Sequence, residues 1–180
     1  TDPTVIHNTQ VNDTIEQFEK NQYITKELAA KLKTSEPKTP QFHTLPKIHK
    51  QGNPGRPVVN SINCHTSKIS KFVDHYLQPL AKSLPSYIND TTDFLRKLST
   101  KRDNNKECLL VTLDVKSLYT NIPNDEGITA VKKALNNSGS PSMLTTVITT
   151  FLFLILTLNN FVFNCKHYIQ KQGVAMGTIC

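Results

Sequence analysis

The chain of 180 residues has no tryptophan, only two methionines, and four cysteines that form no Cys-x-x-Cys pair. Cysteines so spaced argue against a disulfide framework or a zinc knuckle and fit a reducing compartment. Six glycines and ten prolines are too few for a collagen-like or low-complexity chain. No repeat recurs at solenoid spacing, and no signal peptide opens the sequence. Charged residues make up 19% and hydrophobic residues 37%, which excludes wholesale disorder. What remains is about one domain's length of α+β sequence with a net charge of +7 and a pI near 9.2. That excess permits an anionic partner without specifying one. Thr1 and Cys180 both read as cut ends, so the chain is expected to be a fragment.

Two local absences are more informative. Residues 37–73 contain no Asp or Glu, yet carry Lys38, Lys47, Lys50, Arg56, Lys68 and Lys71. Within them Gly52-Asn-Pro-Gly55 is a turn signal between two strand-like runs, 42–48 and 57–62, which predicts a basic hairpin. Residues 134–165 contain no charge at all. On a helical wheel Leu144, Val147, Ile148, Phe151, Leu152, Leu154, Ile155 and Leu158 take one half, and Thr145, Thr146, Thr149, Thr150 and Thr157 the other. Such sidedness predicts a helix buried in a soluble domain rather than a membrane span.

Elsewhere, Asp13-Thr-Ile-Glu16 reads as a capping box opening a short helix. The first ten residues show no period. Thr25 caps a second helix, which Pro37 and Pro40 terminate. Thr66 and Asp90 or Thr91 head two further helices, and Pro123-Asn124 precedes another. Residues 101–107 form a polar loop, and Cys108 to Asp114 is an apolar run fitting a strand buried on both faces. Residues 161–164 and 168–170 form a small hairpin. The segments divide as 1–36, helical; 37–107, a basic hairpin and helices; and 108–180, a partial sheet domain.

Three places can carry chemistry. Asp114 stands at the C-terminal end of the apolar run, where such sheets present functional groups, with Tyr119 five residues on; it can equally cap the following turn. Gly52 to Arg56 is a cationic turn able to fold over a triphosphate or a nucleic-acid backbone, or an ordinary solvated hairpin. Gln172-Gly-Val-Ala-Met-Gly177 allows close backbone approach to a ligand, with a helix N-terminus there offering N–H donors, or is a hairpin exit. A zinc set from Cys64, His65, Cys165 and His167 lacks chelate spacing, and Asp125-Glu126 suits a helix N-terminus.

Leu45-Pro-Lys-Ile-His-Lys50, Gly55-Arg-Pro-Val-Val59, Leu113-Asp-Val-Lys-Ser-Leu-Tyr-Thr-Asn-Ile-Pro123 and Gln172-Gly-Val-Ala-Met-Gly-Thr178 occur in that order. Together they resemble the reverse transcriptase of Penelope-like retroelements, relatives of the telomerase catalytic subunit, from about Phe42 to Cys180. The resemblance implies a right-hand polymerase, of which this chain is the fingers and first half of the palm. It implies that Asp114, with the Val115 carbonyl, holds Mg²⁺, two ions being bound in the complete parent. Tyr119 is then the gate against a 2′-hydroxyl. Arg56 and Lys47 neutralise incoming phosphates, and Gln172 and Gly173 shape the nucleotide and template pocket. The implied partners are an RNA template, a DNA primer and dNTP, without a membrane. The implied site of action is intracellular, in the nucleus for the parent element. The family's Asp-Asp motif, thumb and GIY-YIG endonuclease do not appear in 1–180, so the fragment alone is expected not to polymerise DNA. An RNA-dependent RNA polymerase is the nearest enzyme alternative, which the bulk of Tyr119 opposes. A non-catalytic RNA-binding remnant is the alternative of another class.

Overall fold

A computed structural model describes residues 2–100, 109 and 111–178. The helices are α1 (Thr4–Lys20), α2 (Lys26–Leu32), α3 (Ser67–Ser83), α4 (Thr91–Ser99), α5 (Leu118–Asn121), α6 (Asn124–Asn137) and α7 (Ser142–Thr157). The strands are β1 (Gln41–Pro46), β2 (Gly55–Asn60), β3 (Asn160–Phe163) and β4 (Lys166–Ile169). The chain is therefore α+β, with one mixed four-stranded sheet in the order β2-β1-β3-β4.

The uncharged helix α7 is the centre of the core. Val147, Ile148, Phe151, Leu152, Leu154 and Ile155 are buried on it. Phe151 meets Phe18 of α1 and Phe72 of α3 edge-on, at 5.5 and 5.8 Å between ring centroids. Val11, Ile15, Ala29, Leu32, Ile69, Val73 and Leu135 belong to the same cluster. Sixteen residues span about 24 Å, short of a bilayer's hydrocarbon core. Among the described residues no helix is long and apolar enough to cross a membrane. The threonine half of α7 meets its surroundings by returning hydroxyls to its own carbonyls. Thr146 donates to Ser142 O, Thr149 to Thr145 O and Thr157 to Phe153 O. Thr145 departs from the wheel and is buried.

Helix α1 begins at Thr4, so the expected start at Asp13 is wrong; Asp13 is interior. The buried stripe is Thr4, Asn8, Val11, Ile15 and Phe18, a regular helical spacing whose first two members are polar. They tolerate burial because they are bonded. Asn8 donates to Thr34 O at 3.0 Å, and Thr4 accepts from Asn160 of β3 at 3.0 Å. A hydropathy pattern cannot register a stripe written in Thr and Asn.

The hairpins form as expected. β1 and β2 pair antiparallel from Gln41↔Asn60 to Pro46↔Gly55. Gly52 and Asn53 take positive φ in the turn. β3 and β4 turn through Asn164 and Cys165, both at positive φ as a tight two-residue hairpin requires. Thr25 accepts from Leu28 N and Asp90 from Asp93 N, so both caps are made. Thr66 precedes α3 but makes no side-chain cap. Beside it His65 is buried, and Nε2 bonds Leu158 O at 2.8 Å. Burial holds its pKa below the usual imidazole value.

Among the described residues of the strand expected over 108–114, none is in a strand. Residues 101–108 and 110 lie outside the described residues, the expected polar loop with them. Leu109, Val111 and Leu113 are 88%, 66% and 94% exposed, and none of 111–115 joins the sheet. A strand buried on both faces needs a neighbour along each edge. The edge strands of this sheet are β2 and β4, and neither pairs with 111–115 among the described residues. Nor do residues 172–178 start a helix. They run irregularly, with one isolated bridge between Met176 and Thr178.

Candidate functional site

An open cleft of ≈ 950 Å³ lies between the end of the basic hairpin and the segment 113–120. One wall carries Lys47, His49, Lys50 and Arg56, placed where β1 leaves the sheet and β2 enters it. The other carries Asp114, Val115, Lys116 and Tyr119, with Met176 also lining the space. Lys47 and Val115, 68 positions apart in sequence (115 − 47), thus share one cavity only because the chain returns on itself.

The return is held by the segment 172–178. Gly173 N donates to Asn124 Oδ1 at 3.1 Å, and Val174 N donates to Tyr119 O at 2.7 Å. Met176 O accepts from Val59 N at 2.8 Å, and Gly177 O accepts from the Ser61 hydroxyl at 2.9 Å. One end of this short run is tied to the Tyr119 turn, and the other to β2. It fixes the separation of the two walls.

Its two glycines serve that fit. Gly173 has φ +76°, and a Cβ there would lie 2.2 Å from Tyr119 O; Gly177 has φ +110°, and a Cβ would lie 2.3 Å from Val59 O. The close approach that the glycines permit is to the chain's own backbone. Gly173→Ala is accordingly expected to lower the unfolding free energy by at least ~2 kcal/mol, from a left-handed alanine plus a backbone clash. Urea denaturation measures it; a loss within ~0.5 kcal/mol, the range of an ordinary surface change, would show that the segment does not clamp the walls.

The turn that presents Tyr119 is itself constrained. Ser117 adopts the left-handed conformation at φ 54°, ψ 44°. Thr120 N donates to Ser117 O at 3.1 Å, and the Asn121 amide to Lys116 O at 3.0 Å. Tyr119 is half-exposed and stands between two spaces. It lines the cationic cleft, and also an apolar crevice of ≈ 230 Å³ shared with Phe42, Val59, Phe161 and Tyr168. Those last rings form a patch across the sheet, Phe42 to Phe161 at 5.4 Å and Phe161 to Tyr168 at 5.6 Å.

Of the residues singled out in the sequence, Asp114, Val115, Tyr119, Arg56 and Lys47 line the one cleft. Gly173 supports it from behind through Tyr119. Gln172 does not line it; it is exposed and faces another crevice with Pro123, Asp125 and Lys171. Lys116, His49 and Met176 line the cleft without having been singled out. The first lies two residues after Asp114 in the same motif and the last lies inside the Gln172–Thr178 motif, so the motifs held the signal.

The cleft is electropositive. Among the described residues that line it, Lys47, Lys50, Arg56 and Lys116 stand with one carboxylate, Asp114. Among the described residues none of these five takes part in an ion pair. Unpaired cations on opposing walls favour a multiply charged anion between them. No three His, Cys, Asp or Glu side chains converge to hold a metal among the described residues. Magnesium needs no such cage, since one or two carboxylates suffice when the substrate's phosphates and water complete its shell. Asp114 and Val115 line the same cleft, so one carboxylate of the kind such an ion takes is present there. They do not by themselves fit two ions. Comparison with protein-family profiles, with curated proteins and with solved structures finds no match.

Proposed function

We propose that this chain supplies the fingers and the first part of the palm of an RNA-directed DNA polymerase. The observation that carries the proposal is the shared cleft, with Asp114 and Tyr119 on one wall and Lys47, Lys50 and Arg56 on the other. A deoxynucleoside triphosphate has the matching shape and charge. Its phosphates lie between the cations, where Arg56 can engage two oxygens at once and the lysines act as point charges. Its sugar lies toward Tyr119, whose backbone is held by Val174 and Gly173. Asp114 and the Val115 carbonyl would hold Mg²⁺, which when bound activates the phosphoryl centre and the attacking primer hydroxyl. The chain's own cations neutralise the triphosphate and fix its direction in the cleft, which is most of what a phosphoryl transfer asks of a protein.

A second reading, a nucleic-acid-binding remnant without catalysis, draws on there being one carboxylate among the described residues that line the cleft. Both readings require the cationic wall to meet phosphates. Single-stranded RNA is therefore expected to bind weakly and without sequence preference. If about four cations contact phosphates, log K falls with log salt at a slope of roughly −3. Replacing Lys47, Lys50 and Arg56 together by Gln should bring the slope to about −1, read by fluorescence anisotropy across a salt series. A slope that the triple substitution leaves unchanged would reject this wall as the nucleic-acid surface.

A further inference from the structure

We propose that His65 and His7 form an acid-released latch, which holds the first two turns of α1 against β3 at neutral pH and frees them on mild acidification. Asn160, at the head of β3, is fully buried. Its Oδ1 accepts from His7 Nδ1 at 2.8 Å, and its Nδ2 donates to Thr4. Thr4 continues through Thr39 to Asp2, which faces His167 of β4 at 3.6 Å. One side-chain network therefore joins the start of α1 to both strands of the second hairpin.

His65 lies beside this network, its ring centroid 5.5 Å from that of His7. Its Nε2 bonds the Leu158 carbonyl, so Nε2 carries the proton and Nδ1 is left as an acceptor. Nδ1 is buried and has no hydrogen-bond partner among the described residues. A proton arriving there makes a buried cation whose new N–H has no acceptor, a costly state in a closed interior. Lifting the start of α1 admits water to the ring, so the charged form favours the open state. The opening can stop short of unfolding. Thr4 and Asn8 are held by hydrogen bonds, whereas Val11, Ile15 and Phe18 pack in the core, so the polar end is the weaker hold.

The groups facing His65 decide the sign. Burial lowers its pKa most; the bond to Leu158 O opposes this, His7 adds to it, and Asp2 opposes it. The α7–β3 side brings no charge, since residues 134–165 have none. On α3, Lys68 is exposed and donates to Lys33 O. Asp2 stays charged throughout: burial raises its pKa, but hydrogen bonds from Thr39 and Thr4 hold it down at about 2. A charged His167 grips Asp2 more firmly and works against release. With the His65 pKa depressed, the closed form binds fewer protons than the open one. Its stability is full above the ordinary imidazole range and is lost as pH falls through that range.

The test is amide hydrogen exchange of the isotopically labelled chain, with protection factors compared between about pH 7.5 and about pH 5.5, either side of the ordinary imidazole pKa. The amides of His7 to Gln10 are expected to lose about tenfold in protection, the effect of one linked proton over that interval. They should also be far less protected than Val147 to Leu152 and nearly insensitive to low urea, as a local opening requires. His65→Gln keeps an N–H for Leu158 O without a titrating ring, and should bring the pH response within about twofold. Unchanged protection in the parent, an undiminished response in His65→Gln, or first-turn amides that share the protection and urea dependence of α7 each overturn the latch. Should His65→Gln fail to fold, the ring signals of the unmutated chain decide. A His65 ring still neutral at about pH 6 upholds the latch, and one that charges at an ordinary imidazole pKa while α1 stays protected overturns it. No part of the test touches the Asp114 cleft, so the latch and the proposed function can fail separately.

Discussion

Asp114→Asn, in a polymerase containing this chain, is expected to reduce primer extension by at least three orders of magnitude, about 4 kcal/mol of transition-state stabilisation. The substitution keeps shape and volume and removes one negative charge. Among the described residues Asp114 is the one carboxylate lining a cleft that also holds Lys47, Lys50, Arg56 and Lys116. Without it a hard cation has no charged protein ligand there, while the cations still attract the triphosphate. Template affinity is therefore expected to stay within about twofold, or even rise slightly, as removal of a like charge from a phosphate site allows. Single-turnover extension and anisotropy on the same preparation separate chemistry from binding. Extension within a few-fold of the parent would reduce Asp114 to a turn residue and favour the non-catalytic reading.

Tyr119→Ala is expected to raise the relative kcat/KM for ribonucleotides by one to three orders of magnitude, about 1.4 to 4 kcal/mol of differential transition-state binding. A ribose adds a hydroxyl that needs both room and a polar partner. The Tyr119 ring, placed between the cleft and the apolar crevice, offers neither on its face. Tyr119→Phe keeps the ring and should leave the ratio nearly unchanged. If Tyr119 instead serves only to pack beside Phe42 and Tyr168, the alanine variant should lose activity toward both nucleotide classes together. An unchanged ratio in a folded Tyr119→Ala enzyme rejects the gate.

The two hairpins were legible because each is specified locally. Gly52-Asn-Pro-Gly55 is a turn signal in itself, and the second hairpin was expected with Asn164 in the strand, whereas the structure puts Asn164 and Cys165 in the turn. The caps at Thr25 and Asp90 were legible for the same reason. Helix α1 was missed at its start because its buried stripe includes Thr4 and Asn8, whose burial is acceptable only with Asn160 and Thr34 in place. The strand over 108–114 was expected from apolar composition, which records a tendency to be covered and not what covers it. The described part of that run is exposed.

Residue order alone determined which side chains stand out as candidates for chemistry. The acid-free stretch from 37 to 73, the lone Asp114 with Tyr119 five residues on, and the paired glycines of 172–178 are all visible in one dimension. It also determined that the uncharged stretch would be buried, since a helix with one apolar half must cover it. Only the tertiary structure decided that these pieces face one another. Gly173 and Gly177 have open conformational space in the sequence. In the fold they are the two points where one backbone presses against Tyr119 O and Val59 O. That contact joins β2 to the Tyr119 turn across more than fifty residues, and hydrogen bonds between distant backbone groups leave no local pattern to read.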